Sequence, residues 1–185
     1  MSRPVAVLVG PPGAGKSTVA AALAELLGVE VVDTDAVVVE SAGRSVSDIF
    51  VEDGEARFRE LERAAVADAL GTARGVVAVG GGAPLDPMTR ALLAHHVVVF
   101  LDVTIADASR RIGFDQSRPL LKVNPRATWI AMMRDRRPVY EEVATHIVDT
   151  NGRTPADIAA EVAGLLSAGG HAPGVAPVGP GGTPE

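Results

Sequence analysis

The chain has 185 residues, of which 47% are hydrophobic, and this predicts one domain with a single core. Its formal net charge of −6 argues against nucleic-acid binding, which needs a basic surface, and the absence of cysteine excludes disulfides and thiol catalysis. No apolar stretch reaches the roughly 18 residues of a membrane span and no signal-peptide pattern opens the chain, so we expect a cytoplasmic protein that acts on a small molecule.

Strands and helices alternate along the chain. Residues 4–9 are typical of a buried strand, and the apolar spacing from Thr18 to Leu27 predicts a helix. The other predicted strands cover residues 29–33, 76–79, 97–101 and 145–149, and two further helices cover residues 34–41 and 54–70. Three more helices are predicted where a capping residue precedes proline, at Asp86-Pro87, Asn124-Pro125 and Thr154-Pro155. The alternation predicts an α/β fold with a central five-stranded parallel sheet and helices on both faces.

Two segments differ from this pattern. Residues 113–124 lack periodicity and contain Gly, Pro and charged residues, so we expect a mobile lid there. Residues 169–185 are rich in Gly and Pro, and we expect a disordered tail. The domain is therefore predicted to cover residues 1–168.

A glycine-rich motif lies between the first predicted strand and the first predicted helix. Residues 10–18, GPPGAGKST, fit the pattern G-x-x-x-x-G-K-[ST] and are called the phosphate loop below. In such a loop the backbone N–H groups converge on a phosphate, the lysine reaches the β- and γ-phosphates, and the hydroxyl that follows binds Mg²⁺. The predicted nucleotide contacts are Gly13, Ala14, Gly15, Lys16, Ser17 and Thr18. The motif predicts a protein that binds ATP together with Mg²⁺.

The phosphate loop alone allows a small-molecule kinase, a GTP-dependent switch or an ATPase module. A switch needs a guanine-specifying N-K-x-D or T-K-x-D motif, and neither Lys16 nor Lys122 lies in one. An ATPase module needs large interaction surfaces, which a short acidic chain hardly offers. A kinase needs an acceptor site, for which further motifs supply candidates.

Two of these motifs contain carboxylates, and a third is a run of three glycines. Asp33 and Asp35 interrupt an apolar run, and on a strand both side chains would lie on one face. Arg59 and Glu62 would share a face of a helix, so that Glu62 orients Arg59; the alternative is a solvated surface pair of little value. Gly80–Gly82, called the glycine loop below, follow a strand. Either another group approaches their backbone closely or they form a flexible connection.

Arginines supply the positive charge that a phosphorylated or acidic ligand needs. Arg118 lies in the predicted lid, from which it could reach the transferring phosphates. Arg136 and Arg137 are predicted at a helix end before Pro138, where one of the two could cap the helix. Asp102, after an apolar strand, is the second candidate after Asp33 for support of Mg²⁺.

Together these motifs resemble the shikimate kinase family, from the phosphate loop to Pro155. The resemblance depends on their order: the phosphate loop, D-T-D at 33–35, GRSVSDIF at 43–50, F-R-x-x-E at 58–62, G-G-G at 80–82, R-P-L-L at 118–121 and R-x-P-x-Y at 136–140. It implies a P-loop kinase that transfers the γ-phosphoryl group of ATP to the 3-hydroxyl of shikimate, a step in the synthesis of chorismate and the aromatic amino acids. We also expect a monomer that binds neither nucleic acid nor membrane.

The resemblance implies a role for each matched residue. Asp35 would bind the acceptor hydroxyls and take a proton, while Arg59 and Arg136 would bind the carboxylate of shikimate. The other implied contacts are Gly80, Gly81 and Gly82 to the ring, Ser17 and Asp33 to Mg²⁺, Arg118 to the phosphates, and Arg111, Arg153 and Pro155 to the nucleotide. The implied catalytic residues are Lys16, Asp35 and Arg118. Two alternatives remain, a P-loop kinase for gluconate or a nucleoside monophosphate, and a nucleotide-binding regulatory domain.

Overall fold

Five parallel strands form the central sheet of the computed structural model, which describes residues 3–113 and 124–170. The strands are β1 (Ala6–Val9), β2 (Val31–Asp33), β3 (Val76–Ala78), β4 (Val98–Asp102) and β5 (His146–Asp149), in the spatial order β2-β3-β1-β4-β5. The predicted α/β class and the parallel five-stranded sheet are confirmed.

Eight α-helices surround the sheet within the described ranges. They are α1 (Lys16–Leu27), α2 (Thr34–Ala42), α3 (Val46–Glu52), α4 (Gly54–Thr72), α5 (Pro87–Leu93), α6 (Ile105–Ile112), α7 (Pro125–Val143) and α8 (Pro155–Ala168), with a short 3-10 turn at Ala83–Leu85. The chain crosses the sheet in one direction from β1 to β2 and in the opposite direction from β2 to β3. Because crossovers between parallel strands are right-handed, α1 and α4 lie on opposite faces.

The inner strands form the centre of the core. All residues of β1 and the first four of β4 are completely buried, which is why both strands are continuous apolar runs. On one face α1 packs against α8, and on the other α7 packs against β4. Among residues 3–113 and 124–170, no helix is both long enough and apolar enough to span a membrane.

Helix α3 is absent from the sequence-based prediction. Its seven residues are too few for apolar periodicity to identify it. A capping signal is nevertheless present, because Ser45 Oγ accepts the backbone N–H of Asp48 at 3.1 Å. At the other end of the helix, Glu52 accepts a hydrogen bond from Arg44 at 2.6 Å.

Helix α7 is longer than predicted. A helix end before Pro138 is wrong, because α7 continues to Val143. Pro138 lacks an N–H group, which costs about 3 kcal/mol in a helix interior. Beyond it, Tyr140 is fully buried against Phe100 with ring centroids 5.2 Å apart, and Arg137 pairs with Glu141 at 2.9 Å. These contacts offset the cost of the proline.

The helix starts predicted from capping residues are confirmed. Asp86 accepts the N–H groups of Met88 and Thr89 at the start of α5, and Asn124 accepts that of Ala127 at the start of α7. Thr154 begins α8 with a reciprocal capping box. Residues 114–123 of the predicted lid, with Arg118, and residues 171–185 of the predicted tail lie outside the described residues.

Candidate active site

The phosphate loop connects β1 to α1. Gly13 has a φ of 85°, and a Cβ atom added there would lie 2.9 Å from Cα of Ala108. Only glycine therefore fits at this position. Helix α1 begins at Lys16, two residues earlier than predicted, so the loop leads directly into a helix N-terminus. This is the arrangement that binds phosphate in P-loop proteins.

Two cationic side chains lie against the phosphate loop. Lys16 Nζ donates to the carbonyl oxygens of Gly10 at 2.9 Å and Pro11 at 3.2 Å. Arg111 Nη1 donates to the carbonyl oxygens of Gly13 at 3.3 Å and Ala14 at 3.2 Å. The structure thus brings Arg111, which the resemblance implies as a nucleotide contact, to the middle of the loop.

Asp33 lies next to the phosphate loop, although for a different reason than the sequence predicted. A shared strand face for Asp33 and Asp35 is wrong, because β2 ends at Asp33 and α2 begins at Thr34. Asp33 Oδ1 caps α2 by accepting the N–H groups of Asp35 at 3.0 Å and Ala36 at 3.4 Å. Its Oδ2 accepts the hydroxyl of Ser17 at 2.5 Å.

The oxygen atoms of Ser17 and Asp33 suit a hard cation. Mg²⁺ usually takes one or two protein oxygens and completes its shell with water and nucleotide phosphates. Within residues 3–113 and 124–170 there is no group of three or more His, Cys, Asp or Glu side chains that could hold a metal ion alone. A hydroxyl and a carboxylate beside a phosphate loop therefore fit magnesium held jointly with a nucleotide.

Glu62 and Arg59 form a pair that is largely shielded from solvent. Arg59 Nη1 lies 2.6 Å from Glu62 Oε2, and the Glu62 side chain is only 5% exposed. Burial raises the pKa of Glu62, while the guanidinium of Arg59 opposes this shift. The alternative of a solvated surface pair is therefore wrong. The buried carboxylate fixes the orientation of Arg59.

The glycine loop passes directly beside these charged groups. A Cβ atom at Gly80 would lie 2.6 Å from Oδ1 of Asp35 and 2.7 Å from Oε1 of Glu62, and one at Gly82 would collide with the guanidinium of Arg59. None of the three glycines has a positive φ. Close approach of side chains, rather than an unusual backbone conformation, thus requires glycine here. This brings Asp35, Arg59 and Glu62 together around the loop.

The adjacent Arg136 and Arg137 face different neighbours. Arg137 donates to both carboxylate oxygens of Asp102, at 2.5 and 2.6 Å. Burial raises the pKa of both Glu62 and Tyr140, and the positive charge of Arg136 works in the opposite direction on each. Arg136 is therefore close to these two residues. One arginine therefore has a structural partner at the end of β4, and the other belongs to the pocket around the glycine loop.

The last predicted nucleotide contacts lie at the start of α8. Arg153 donates to the backbone oxygen of Asp149 at 2.8 Å and pairs with Glu161 at 2.6 Å, and Pro155 is the first residue of the helix. Arg111 reaches this region by donating to the hydroxyl of Thr150 at 3.0 Å. Arg111 therefore connects the phosphate loop to the segment between β5 and α8, in which Arg153 lies and which ends at Pro155.

Two residues at the site were given no role by the sequence analysis, although Tyr140 ends the motif R-x-P-x-Y. Trp129 Nε1 donates to the carbonyl oxygen of Pro12 at 3.0 Å, and the hydroxyl of Tyr140 donates to that of Gly81 at 2.6 Å. Trp129 is the single tryptophan of the chain and Tyr140 the single tyrosine. Their rarity and helical spacing are the signal that could have identified them.

Comparisons with known proteins agree with this geometry. A family model described as shikimate kinase matches residues 12–167. The chain is 58% identical to a shikimate kinase of Salinispora arenicola over 165 residues, covering 89% of this chain and 99% of the relative, and 56% identical to one of Thermobifida fusca over 169 residues, covering 91% and 98%. Among solved structures, a shikimate kinase from Acinetobacter baumannii in complex with shikimate superposes with a TM-score of 0.86 at 35% identity, covering 90% of this chain and 94% of that chain.

Proposed function

The chain belongs to the shikimate kinase family, and we propose that it transfers the γ-phosphoryl group of ATP to the 3-hydroxyl of shikimate, giving shikimate 3-phosphate and ADP. This is a step of the chorismate pathway to the aromatic amino acids. The observation that carries the proposal is a pocket of opposite charges, with Asp35 beside the Arg59–Glu62 pair, placed next to the phosphate loop.

The acceptor pocket would bind an anionic hydroxy acid. Arg59 and Arg136 provide two guanidinium groups for the carboxylate of shikimate, and Arg59 is already oriented by Glu62. The glycine loop leaves room for the ring to approach the backbone, with Gly80, Gly81 and Gly82 as the proposed contacts.

Asp35 would act on the acceptor hydroxyl. Its carboxylate lies against Gly80, where it can hold the 3-hydroxyl and accept its proton as the oxygen attacks the γ-phosphorus. The bond to the β–γ bridging oxygen then breaks, and ADP leaves with that electron pair. Phosphoryl transfer depends mainly on positioning and charge neutralisation, so Asp35 contributes by holding the attacking oxygen in line.

The donor side would hold the nucleotide through backbone and cations. The N–H groups of Gly13–Thr18 and the ammonium of Lys16 would bind the phosphates, and Arg118 of the predicted lid would add a second cation. Arg111, Arg153 and Pro155 would contact the rest of the nucleotide. Ser17 and Asp33 would hold Mg²⁺, which when bound neutralises the charge that develops on the β- and γ-phosphate oxygens.

Release of ADP tests the proposal. The purified protein with MgATP is given shikimate, gluconate, a nucleoside monophosphate or no acceptor, and we expect strong release with shikimate alone. Turnover with gluconate or a nucleotide but not with shikimate would overturn the acceptor assignment, and ATP binding without any turnover would favour a regulatory domain. The expected cytoplasmic location and monomeric state stay predictions.

A further inference from the structure

One helix contacts both halves of the site. Trp129 and Tyr140 are separated by 11 positions along α7, which is about three helical turns, so they lie on the same face. Trp129 is 4% exposed, Tyr140 is completely buried, and Met133 lies between them at 7%. This face of α7 therefore runs from the phosphate loop to the glycine loop.

Trp129 contacts the phosphate loop at Pro12, whose backbone can make few hydrogen bonds. Pro12 has no N–H group, so its carbonyl oxygen is the only hydrogen-bonding group of its backbone. The indole Nε1 of Trp129 donates to this oxygen at 3.0 Å. Across a peptide plane the next N–H points the opposite way, and here it belongs to Gly13, a proposed phosphate contact. The indole thus fixes the direction of a group that the nucleotide needs.

Tyr140 makes the equivalent contact at the acceptor end. Its hydroxyl donates to the carbonyl oxygen of Gly81 at 2.6 Å, while its ring packs on Phe100 with centroids 5.2 Å apart. Arg136 lies one turn earlier on α7 and close to the same hydroxyl. Tyr140 therefore holds the middle of the glycine loop beside one of the two arginines proposed for the acceptor carboxylate.

The two loops also touch each other. A Cβ atom at Gly81 would lie 3.3 Å from the carbonyl oxygen of Gly10 and 3.4 Å from Cδ of Pro12. Together with the two hydrogen bonds from α7, this contact closes a triangle of helix, phosphate loop and glycine loop. Neither loop can move relative to the other without breaking at least one of the three contacts.

We propose that Trp129 and Tyr140 are positioning residues, and that α7 sets the distance between the phosphoryl donor and its acceptor through their hydrogen bonds to Pro12 and Gly81. The inference rests on the proposed shikimate kinase reaction. A displacement of about 1 Å between reacting groups can cost about 100-fold in rate, so two hydrogen bonds from side chains that are not among the proposed substrate contacts can still control turnover.

Steady-state kinetics of four variants test this role. Trp129→Phe and Tyr140→Phe each remove one donor and keep an aromatic ring, the double variant removes both, and Met133→Ala is the control because it leaves a cavity on the same face without affecting either hydrogen bond. We expect Trp129→Phe to raise the KM for MgATP and Tyr140→Phe to raise the KM for shikimate, each by about 3- to 10-fold. The kcat should fall in both, and the double variant should lose less than the product of the two losses, because both disturb one distance.

Stability and binding measurements separate positioning from folding. Met133→Ala should lower the melting temperature at least as much as either aromatic variant and yet keep kcat within about twofold of the wild type. The inference is overturned if both aromatic variants keep the wild-type kcat and KM values, or if Met133→Ala loses kcat as they do. A wild-type protein that binds MgADP in calorimetry but does not phosphorylate shikimate would instead overturn the proposed function. In that case MgADP affinity, weaker in Trp129→Phe and unchanged in Tyr140→Phe, still tests the contact at the phosphate loop.

Discussion

The donor and acceptor halves of the site are built in different ways. The phosphate loop is one continuous segment, residues 10–18, and the groups proposed to bind phosphate are mainly backbone N–H groups at the start of α1. The acceptor pocket is assembled from four separate segments of the chain, with Asp35 from α2, Glu62 from α4, the glycine loop after β3, and Arg136 from α7. Backbone groups recognise a phosphate whatever it is attached to, whereas the proposed acceptor site would recognise its ligand through charged side chains at defined positions.

This difference suggests that the two halves can be separated by substitution. Changes to the charged side chains of the acceptor pocket should alter the kinetic constants for shikimate and spare nucleotide binding. Apart from Trp129 and Tyr140 on α7, changes outside both halves should alter the stability of the fold and spare the kinetic constants. The predictions below test this separation.

The largest effect is expected at Asp35. Asp35→Asn keeps the size of the side chain but cannot take up the hydroxyl proton, so kcat should fall by about 100-fold or more while MgADP affinity measured by calorimetry stays unchanged. Glu40→Gln is the control, because Glu40 is an exposed carboxylate on the same helix, α2. A near-normal kcat in Asp35→Asn would exclude Asp35 as the base, and a similar loss in Glu40→Gln would indicate damage to α2.

The next largest difference is expected between substitutions of two neighbouring arginines. Arg136→Ala should raise the KM for shikimate by about 10- to 100-fold, because a hydrogen bond to a charged group contributes roughly 1.5 to 3 kcal/mol. Arg137→Ala should have little effect on that KM, since Arg137 is 42% exposed and pairs with Asp102 outside the acceptor pocket. If both substitutions raised the KM for shikimate equally, Arg136 would have no special role in binding the acceptor.

Glu62→Gln should have a smaller effect on the same constant. Glutamine can still accept a hydrogen bond from Arg59 but lacks the charge, so we expect the KM for shikimate to rise by about 5- to 20-fold. Glu60→Gln is the control, because Glu60 pairs with Arg57 on the same helix and its side chain is 61% exposed. If Glu60→Gln raised the KM as much, the buried pair would have no special role.

The pH dependence of the KM for shikimate gives a second test of the role of Glu62. Because burial raises the pKa of Glu62, its carboxylate takes up a proton at a higher pH than an ordinary glutamate does. Asp35 raises this pKa further, while Arg59 and Arg136 oppose the shift. As the pH falls through this pKa, Arg59 loses its buried charged partner and keeps only the exposed Glu55, so the KM for shikimate should rise. Glu62→Gln should lack this inflection, and its persistence would assign the titration to another group.

The two halves also differ in how far the sequence alone predicts them. The phosphate loop and the starts of α5, α7 and α8 were predicted correctly, because their motifs and capping residues interact within a few positions of the chain. The acceptor pocket was predicted as a list of residues, but its geometry was not. The burial of Glu62 and the close approach of side chains to the glycine loop depend on how α4 packs against α2 and against the 3-10 turn that follows the loop.

Long-range contacts also explain the errors. The continuation of α7 through Pro138 depends on the burial of Tyr140 against β4, and no local signal near the proline records it. Asp33 and Asp35 were placed on one strand face because period-2 alternation cannot show that a helix begins at Thr34. In the structure Asp33 lies beside the phosphate loop and Asp35 beside the glycine loop, so the two carboxylates belong to different halves.

The smallest effect on catalysis is expected at Asp86, which lies outside both halves. Its carboxylate caps α5 and accepts a hydrogen bond from Arg63 at 2.9 Å. Asp86→Ala should cost about 1 kcal/mol and lower the melting temperature by about 2 to 4 °C, with kcat and both KM values unchanged. Asp86→Asn keeps the cap and loses only a partly exposed ion pair, so its melting temperature should fall measurably but by less than that of Asp86→Ala.

The pH dependence of unfolding distinguishes the contributions of the cap and the ion pair. Burial works to raise the pKa of Asp86, but the N–H of Thr89 and the guanidinium of Arg63 outweigh it and lower this pKa in the folded state. A carboxyl whose folded pKa is depressed stabilises the protein at neutral pH, and this contribution disappears as the pH falls through the folded pKa. The difference in melting temperature between wild type and Asp86→Asn should therefore shrink towards acidic pH. A constant difference would show that the charge of Asp86 contributes nothing, and a loss of kcat in Asp86→Ala would show that the region outside the two halves is coupled to catalysis.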